Sequence, residues 1–508
     1  MRRACLLCCW FLVPGLLLAA EPPPILAAPI PVSASPGAFA STLAVSPEGV
    51  AWLAWLEPGT DRQLRVQCAT FDLAARRWNP PRTIASGAAI HASATDTPAL
   101  AVGAGGAVTV LWYVSNPPRD GTTLSAHAAS CHAVTSSSSD GGQTWSTPRT
   151  LSSESDRHEF ASLAPLADGR VLAVWLDGRA NAAGQSPAAP AQLFGRIVGS
   201  PVPDALIEGR VCDCCPTSLT AFPDGTALVA YRGRSEDEVR DIRVARFRAG
   251  RWEASRPLAA DDWRTNACPV NGPQLASDGG RVAAAWFTAA DRDPRVVASF
   301  SPDAGTRFLL PLRLSQTAPA GHVSTLLLHD GALLVSWVDT AGALVLRRVT
   351  PDFSAAETVR LAEPASGRIR GVPRLALLRD YRGGSEPAPA LAAYGREPGG
   401  IATLLVAVPE EALLEAANDC GCVPPPEQLR GYPLRGTLVA VDPAAGTVQV
   451  RLPEIPGLFA PGAREFLVNA DALPPVAQPG REFLGRCERD GGGWRLFDLR
   501  FIASAPRQ

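Results

Sequence analysis

Residues 138–145 read Ser-Ser-Asp-Gly-Gly-Gln-Thr-Trp, and residues 301–308 read Ser-Pro-Asp-Ala-Gly-Thr-Arg-Phe. Both stretches follow the pattern Ser-x-Asp-x-Gly-x-x-aromatic. Aspartate can accept hydrogen bonds from the backbone amides of a tight turn, glycine takes the positive φ, and the aromatic ring folds back onto the strands. The pattern therefore predicts two structural hairpin turns. Their residues are Ser138, Asp140, Gly142 and Trp145, then Ser301, Asp303, Gly305 and Phe308.

Around these turns, a short apolar strand with a bulky aromatic residue recurs seven times. The aromatic residues lie roughly 50–60 positions apart, which leaves room for four short strands in each unit. They are Trp55, Trp112, Trp175, Tyr231, Trp286, Trp337 and Tyr394. Four-stranded antiparallel units bury both of their faces by stacking radially around an axis. The repeat predicts an all-β, seven-bladed β-propeller, whose ring is closed by the N-terminal segment 25–35.

The two turns are Asp boxes, and the chain resembles the sialidase superfamily of BNR repeat proteins over roughly residues 25–410. Degenerate copies lie at 71–78 and 247–252. Sialidases have six blades, so six is the alternative to seven. The resemblance also implies an alternative function, an exo-α-sialidase, in which arginines grip a carboxylate, a tyrosine is the nucleophile, and carboxyl groups assist.

For that hydrolase, the sequence offers Tyr394 as the nucleophile with Glu159 and Asp177 as the carboxyl pair. One feature of the family is missing. The Phe-Arg-Ile-Pro segment that opens sialidase domains appears here as residues 38–42, Ala-Phe-Ala-Ser-Thr, so its arginine has no counterpart. Because a fold does not carry its function with it, we prefer a binding or assembly propeller to an enzyme.

The first 20 residues have the layout of a signal peptide, with Arg2 and Arg3, an apolar run, and Ala19-Ala20 before a proline-rich stretch. The apolar run is too short for a comfortable membrane span, although an uncleaved anchor is the alternative. We expect a periplasmic or secreted product with no membrane span after cleavage. The 47 Lys and Arg residues nearly balance 49 Asp and Glu, so nucleic acid is not an expected partner.

In propellers, the loops that enter the innermost strands and the loops after the second strands share one face, where ligands usually bind. Charged and ligand-type residues concentrate there. The predicted ligand-binding residues are Arg179, Arg232, Arg234, Arg370, His158 and His322. They predict a site for a carbohydrate or another small anionic ligand, for a metal-associated ligand, or for a periplasmic protein. The alternative is that these charges pair with one another and hold the loops.

Two cysteine-bearing loops are predicted to be neighbours on this face. Residues 212–216 read Cys-Asp-Cys-Cys-Pro, and Cys268 lies in the entry loop of the next unit. In an oxidising compartment we expect a disulfide from Cys268 to Cys214 or Cys215. The alternative is a zinc or copper site formed by Cys212, Cys214, Cys215 and Cys268. Beyond this, the sequence indicates no cofactor.

A second domain follows the repeat. Residues 412–431 read as a linker containing Cys420 and Cys422, so the propeller spans 21–411 and the second domain 432–508. Its strands resemble the small periplasmic copper-binding barrels of the CusF type, which have an OB-like architecture. That family binds Cu(I) through a histidine and two methionines. Here Leu452, Gly462 and Arg464 occupy those positions, so we expect an OB-like barrel without the copper site.

Overall fold

The computed structural model describes residues 25–408 and 432–501 with short gaps. The gaps are 61–62, 94, 117–129, 156, 182–189, 329–330, 351–357, 364–368, 379–387, 397–398, 443–444, 453–461, 469–472, 474–476 and 491–492. The predicted signal peptide, residues 1–20, and the predicted linker with Cys420 and Cys422 lie outside the described residues. Among the residues that are described, no helix is long and apolar enough to cross a membrane.

The described chain is all-β apart from three single-turn 3-10 helices at Ala104–Gly106, Arg179–Asn181 and Ala290–Arg292. The strands before the gap at 409–431 are β1 (Leu26–Ile30), β2 (Phe39–Val45), β3 (Ala51–Pro58), β4 (Leu64–Asp72), β5 (Arg77–Trp78), β6 (Arg82–Gly87), β7 (Ala99–Val102), β8 (Val108–Ser115), β9 (Cys131–Ser138), β10 (Arg149–Thr150), β11 (His158–Pro165), β12 (Val171–Asp177), β13 (Ala191–Ile197), β14 (Ala205–Val211), β15 (Ser218–Ala221), β16 (Ala227–Arg232), β17 (Ile242–Arg248), β18 (Arg251–Trp252), β19 (Arg256–Pro257), β20 (Gln274–Asp278), β21 (Arg281–Thr288), β22 (Arg295–Ser301), β23 (Leu312–Arg313), β24 (Pro319–Leu327), β25 (Leu333–Asp339), β26 (Leu344–Val349), β27 (Val359–Ala362), β28 (Ile369–Leu377), β29 (Ala388–Arg396) and β30 (Ile401–Val408).

In the described residues these strands form seven antiparallel sheets of four or five strands, numbered here in chain order. Sheet 1 is β2-β3-β4-β5 with β6 also on β4, sheet 2 is β7-β8-β9-β10, sheet 3 is β11-β12-β13-β14, sheet 4 is β15-β16-β17-β18 with β19 also on β17, sheet 5 is β20-β21-β22-β23, sheet 6 is β24-β25-β26-β27, and sheet 7 is β28-β29-β30-β1. The first strand of each sheet contacts the first strands of both neighbours, and β28 contacts β2. This closed succession of sheets is a β-propeller.

The core lies between neighbouring sheets. Leu53 and Trp55 of sheet 1, for example, pack against Leu391 and Ala393 of sheet 7. Each of the seven aromatic residues that mark the sequence repeat lies in the second strand of its sheet, and each is at most 4% exposed. Burying such a ring contributes about 2–3 kcal/mol, so this repeated position stabilises the packing of every sheet on its neighbours.

The N-terminal strand closes the ring, as the sequence predicts. Strand β1 pairs antiparallel with β30, from Leu26 opposite Ala407 to Ile30 opposite Thr403. The Thr403 hydroxyl donates a hydrogen bond of 2.6 Å to the Ile30 carbonyl. Sheet 7 is thus assembled from the two ends of the repeat region.

The two Ser-x-Asp turns have the predicted geometry. The Ser138 hydroxyl accepts a hydrogen bond from the Gly142 amide at 2.9 Å, and Asp140 accepts from the amides of Gln143 and Thr144, each at 2.9 Å. Gly142 has φ +75°, and a Cβ there would lie 2.8 Å from the ring of Trp52 in sheet 1. The turn therefore docks onto the preceding sheet, which is a scaffold role.

The second turn repeats this arrangement. Gly305 donates its amide to the Ser301 hydroxyl at 2.7 Å, and Arg307 donates its amide to Asp303 at 2.6 Å. Gly305 has φ +84° and approaches Leu228 of sheet 4, while Phe308 packs on the core between sheets 4 and 5. Both turns join the third and fourth strands of their sheets, at the end of the ring that we call the turn end.

The remaining strands form a separate closed barrel. They are β31 (Tyr432–Asp442), β32 (Thr447–Leu452), β33 (Gly462–Leu467), β34 (Glu482–Asp490) and β35 (Gly493–Phe501), in the order β31-β32-β33-β35-β34. Val448, Val450, Phe466 and Phe483 fill its interior. Leu452 is also buried in this interior. Cys487 is buried there too, and burial raises the pKa of its thiol to about 12. Leu452 and Cys487 are therefore core residues of this barrel.

Candidate functional site

The end of the ring opposite the turn end is the axial face. It is formed by the loops that enter the first strands and by the loops that join second to third strands. The first strands of sheets 1, 3 and 6 are bulged where they begin, and the bulges hold Ala40, Phe160 and His322 at φ +56°, +49° and +56°. Positive φ is costly for such residues, and bulges commonly redirect side chains beside functional sites. The sequence carries no signal for these conformations.

Glu159 precedes one of these bulges and is exposed to solvent. Protein packed around its carboxyl group raises its pKa to about 7, with a further contribution from the negative charges of Asp96 and Asp213. Asp96 is buried and accepts a hydrogen bond of 3.0 Å from the Phe160 amide, which fixes the bulge. An accessible residue whose carboxyl pKa is shifted is a common mark of a functional site.

The structure does not bring Glu159 and Asp177 together as a carboxyl pair. His158 is opposite Asp177 across β11 and β12, and neighbouring residues of a strand point to opposite faces, so Glu159 points away from Asp177. Asp177 is fully buried and accepts a hydrogen bond of 2.8 Å from the indole of Trp175. In sheet 1, Glu57 accepts from Trp55 at 2.9 Å in the same way. Asp177 is thus a scaffold acceptor for the repeated aromatic residue.

His158 is also a core residue rather than a ligand group. It is fully buried, and its Nδ1 accepts a hydrogen bond of 3.1 Å from the Ala133 amide. Its Nε2 lies 3.8 Å from Asp177. Burial lowers the pKa of His158 to about 4 and outweighs the negative charges of Asp177 and Asp204, which raise it. Asp177 also accepts hydrogen bonds from Trp175, Ser155 and Arg179. His158 is therefore neutral at neutral pH.

The arginines predicted to bind an anion are already engaged. Arg179 contacts Asp177 and Asp204, each at 2.7 Å, and lies over the ring of Phe194. Arg234 contacts Asp213 at 2.7 Å and Glu238 at 2.9 Å. These residues fulfil the alternative in which charges hold the loops. The side chain of Arg370 lies outside the described residues.

Arg232 is 1% exposed and is held by backbone groups rather than by a carboxylate in the described part of the chain. Its guanidinium donates to three backbone carbonyls, those of Asn271, Arg240 and Phe287, at 2.8, 2.6 and 2.6 Å. It thereby links sheet 4 to sheet 5 at the axial face. An external anion cannot reach it.

His322 belongs to the same linkage. The side-chain oxygen of Asn271 accepts the His322 amide at 2.7 Å, and burial lowers the pKa of the imidazole. Its Nδ1 is buried without a hydrogen-bond partner in the described part of the chain. His322 therefore lies at the axial face, as predicted, but as a mostly buried side chain.

Tyr394 is not placed as a nucleophile. It occupies the repeated aromatic position of sheet 7, is 4% exposed, and packs with Leu326 and Leu404 between sheets 6 and 7. Burial raises the pKa of its phenol. Tyr394 and Glu159 thus belong to different parts of the ring, the first to the core between sheets 6 and 7 and the second to sheet 3.

The predicted cysteine neighbours do meet. Cys214 and Cys268 form a disulfide between the entry loops of sheets 4 and 5, one of the two predicted pairings. Cys212 and Cys215 are not disulfide-bonded, and their sulfurs lie 2.7 Å apart. The sulfurs of Cys212, Cys214 and Cys215 all lie within 4.8 Å of one another, a spacing that could hold a metal ion. While Cys214 is bonded to Cys268, however, two of the three are available as ligands.

The surroundings of the two free thiols differ. The pKa of Cys212 is lowered to about 6, first by the hydrogen bond from Cys215 and then by the Cys214 amide and the charges of Arg232 and Arg240. Burial raises the pKa of Cys215. Arg240 donates a hydrogen bond of 3.3 Å to the Cys212 sulfur. These contacts favour the thiolate form of Cys212 over its thiol form. The sequence does not predict the contact between Arg240 and Cys212, since nothing in the spacing of Arg240 marks it as the partner of a cysteine.

Two cavities lie away from these residues. A groove of about 520 Å³ lies at the turn end between sheets 2 and 3, with Arg170 on its rim. A cavity of about 310 Å³ follows the axis and is lined by Ala44, Ser277, Thr325 and other residues of first strands. Neither contains the cysteines or Glu159, and the groove offers few groups for chemistry. The residues with shifted pKa values, rather than these volumes, mark the candidate site.

Comparison with known proteins gives fold likenesses at low identity. No family model matches the chain, and no curated protein matches it. A polysaccharide lyase, an ulvan lyase of family PL25, is 10% identical, with a TM-score of 0.48, 75% of this chain covered and 96% of that one. The BP39L lectin of Burkholderia pseudomallei is 12% identical, with a TM-score of 0.47 and coverage of 74% and 98%. The intramolecular trans-sialidase of Ruminococcus gnavus is 9% identical, with a TM-score of 0.41 and coverage of 74% and 95%. At such identities and TM-scores, the functional argument rests on the site residues of this chain.

Proposed function

We propose that this protein is an exported, seven-bladed binding propeller that takes a carbohydrate at its axial face, with an OB-like barrel as an accessory domain. The observation that carries the proposal is Glu159, an exposed residue beside the bulge of β11, whose carboxyl pKa is raised to about 7 by the surrounding protein. A carboxyl group near its pKa can both donate and accept hydrogen bonds, which suits sugar hydroxyls.

The charges of the axial face support a polyhydroxylated ligand over an anionic one. Among the described side chains, the guanidinium groups of Arg179, Arg232 and Arg234 are occupied by carboxylates or backbone carbonyls, so these three do not receive an acidic group. The charges around Glu159 are mostly acidic, because Asp96 and Asp213 raise its pKa and Arg157 alone lowers it. A mostly acidic surface disfavours an anion and accepts the donor hydroxyls of a neutral sugar.

A single hard cation is a poorer fit to the carboxyl groups around Glu159. Among the described residues, the metal-competent group of three or more side chains is the cysteine group, and the oxygens of Glu159, Asp96 and Asp213 do not form one. Calcium needs six to eight oxygens converging on one point. Carboxyl groups that are separated from one another suit a ligand whose hydroxyl groups are also separated.

The proposal is tested by binding to an array of neutral and acidic oligosaccharides, followed by calorimetry with the best neutral sugar at pH 6 and pH 8. Glu159→Gln should weaken binding at least tenfold at pH 8, where the ionised carboxylate accepts charge-assisted hydrogen bonds that a carboxamide cannot reproduce, and should weaken it less at pH 6. The matched control is Glu253→Gln at the turn end, which should bind as the unmodified protein does.

Three results would overturn the proposal. The first is an array on which no sugar binds, and the second is an affinity unchanged by Glu159→Gln. The third is turnover of a fluorogenic sialoside that Tyr394→Phe abolishes, because that would make the protein a sialidase despite the burial of Tyr394.

A further inference from the structure

The cysteine cluster consists of two layers. Cys268 is exposed and Cys214 is half-buried, so their disulfide lies at the surface of the axial face. Cys212 and Cys215 lie behind it and are each 1% exposed. A disulfide at the surface thus covers a pair of buried thiols, and carbohydrate binding through Glu159 uses neither layer.

The distances connect the two layers. The Cys212 sulfur lies 3.8 Å from the Cys214 sulfur and 2.7 Å from the Cys215 sulfur. On its other side, Arg240 donates to Cys212 at 3.3 Å, and the Arg240 guanidinium is itself held by Glu238 at 2.7 Å. Cys212 is therefore in contact with one disulfide-bonded sulfur, one free thiol and one fixed positive charge.

We propose that these four cysteines form a thiol–disulfide relay, which moves a disulfide bond between the surface pair Cys214 and Cys268 and the buried pair Cys212 and Cys215. The sequence spacing allows both bonds that the relay needs. Cys212 reaches Cys214 across one residue, and it reaches Cys215 across two, as in the Cys-x-x-Cys motif of disulfide oxidoreductases.

The relay has two exchange steps. The Cys212 thiolate attacks the Cys214 sulfur, a bond forms between them, and the electron pair of the broken bond leaves on Cys268, which takes up a proton. Cys215 then loses its proton and attacks Cys212, and Cys214 leaves as a thiolate and is protonated in turn. One disulfide and two thiols are present before and after, so no external oxidant is consumed.

The second state changes what the surface offers. Cys268 is then an exposed thiol with Cys214 beside it, so the pair can reduce a peptide disulfide that reaches the axial face. Cys268 attacks one sulfur of that disulfide, and Cys214 displaces the peptide from Cys268. The peptide leaves with two thiols, and this chain keeps both disulfides. The substrate class is therefore a disulfide of an exported protein or peptide.

Peptide mapping distinguishes the two states, because trypsin cuts after Arg210, Arg232, Arg264 and Arg281. A bond between Cys214 and Cys268 links peptide 211–232 to peptide 265–281. A bond between Cys212 and Cys215 closes a loop within 211–232 and leaves Cys268 free for alkylation. The full-length protein is incubated anaerobically at pH 7.5, quenched with acid, alkylated and digested.

We expect both states in the unmodified protein. Cys212→Ser should give only the linked peptides. Cys215→Ser should give the linked peptides and, in addition, peptide 211–232 with a loop closed by a bond between Cys212 and Cys214. Arg240→Gln keeps all four sulfurs and should slow the exchange about tenfold, since the Cys212 thiolate loses its hydrogen-bond donor. Cys131→Ser, a buried cysteine in sheet 2, is the matched control and should map as the unmodified protein does.

The relay is overturned if the unmodified protein yields only linked peptides in which Cys212 and Cys215 are both alkylated, even after incubation with a peptide disulfide. It is also overturned if elemental analysis finds stoichiometric zinc or copper with all four cysteines reduced. Sugar binding separates this proposal from the previous one, because Cys212→Ser should still bind the sugar. If the unmodified protein shows no disulfide exchange while both proteins bind the sugar, the relay is wrong and the carbohydrate site remains.

Discussion

The pKa of a carboxyl group is shifted in opposite directions at the two ends of the ring. At the turn end, Asp140 accepts hydrogen bonds from its own turn, including 2.6 Å from the Thr144 hydroxyl, and these bonds lower its pKa. At the axial face, enclosure raises the pKa of Glu159 to about 7. A carboxylate with its acceptors filled is scaffold, whereas an accessible carboxyl group with a raised pKa has capacity left for a ligand.

The difference also corrects an interpretation that rests on residue type alone. Arg232, Asp177 and His158 are at the axial face and belong to residue types that bind ligands, yet all three are buried and hydrogen-bonded within the protein. The axial face thus has a buried layer that holds the loops and an accessible layer that includes Glu159 and Cys268. The comparison of the two ends can be tested by one substitution at the axial face, one at the turn end and one change of pH.

The largest expected effect is that of Arg232→Leu. This change removes the donor to three backbone carbonyls, so the free energy of unfolding should fall by about 3–5 kcal/mol. Arg170→Leu, at the turn end, removes a side chain that is 60% exposed and should leave the urea midpoint unchanged. Equal midpoints for the two variants would show that the axial arginine is not part of the scaffold.

A second comparison uses neighbouring glycines at the turn end. Gly142→Ala places a Cβ against the ring of Trp52 at positive φ, and we expect a loss of about 2–3 kcal/mol. Gly141→Ala has φ +70° but open space around it, so the backbone strain alone, about 1 kcal/mol, remains. Thermal melts of both variants measure the difference, and sugar binding should be the same in both. Indistinguishable melting temperatures would contradict docking of the turn on sheet 1.

The smallest effect appears on acidification. The folded pKa of His158, about 4, lies below the usual 6.5, so the unfolded chain binds a proton that the folded protein does not. Its contribution to stability is present above pH 6.5 and is lost as pH falls towards 4, amounting to about 2 kcal/mol between pH 7 and pH 5.

The raised pKa of Glu159 contributes with the opposite sign in the same pH range, so the His158 contribution is measured as the difference in the free energy of urea unfolding between the unmodified protein and His158→Asn at several pH values. His158→Asn retains an acceptor for the Ala133 amide, and its stability relative to the unmodified protein should increase by about 2 kcal/mol between pH 7 and pH 5. Asp140→Asn at the turn end serves as the control, because the lowered pKa of Asp140 acts below pH 4. A slope that His158→Asn leaves intact would assign the titration to another group.

Much of the fold could be predicted from the sequence because its signals are local. The seven aromatic positions, the two Ser-x-Asp turns and the closing strand follow from spacing and turn chemistry, and the structure contains all of them. The meeting of the cysteine loops was predictable too, since consecutive units of a ring are neighbours. The choice of Cys214 over Cys215 depends on the loop conformation, which the spacing leaves open.

The site was less predictable because it depends on partners that are distant in sequence. Arg232 bonds to carbonyls up to 55 residues away, and Arg240 reaches Cys212 from 28 residues away. No spacing rule identifies such pairs. Tyr394 is different, because the sequence repeat alone argues against its role as a nucleophile. It is the seventh of the buried aromatic positions, and a residue that completes a structural repeat is a poor candidate for a nucleophile.

The pairing of β1 with β30 has a consequence for the order of folding. Ile30 and Thr403 are joined by a hydrogen bond across 373 positions, so sheet 7 cannot be completed until nearly the whole ring has been synthesised. Sheets 1 to 6 are built from consecutive strands and can form from local contacts, whereas closing so long a loop is slow. The strand that is made first is therefore the last to find its place, and until then β30 presents an unpaired edge.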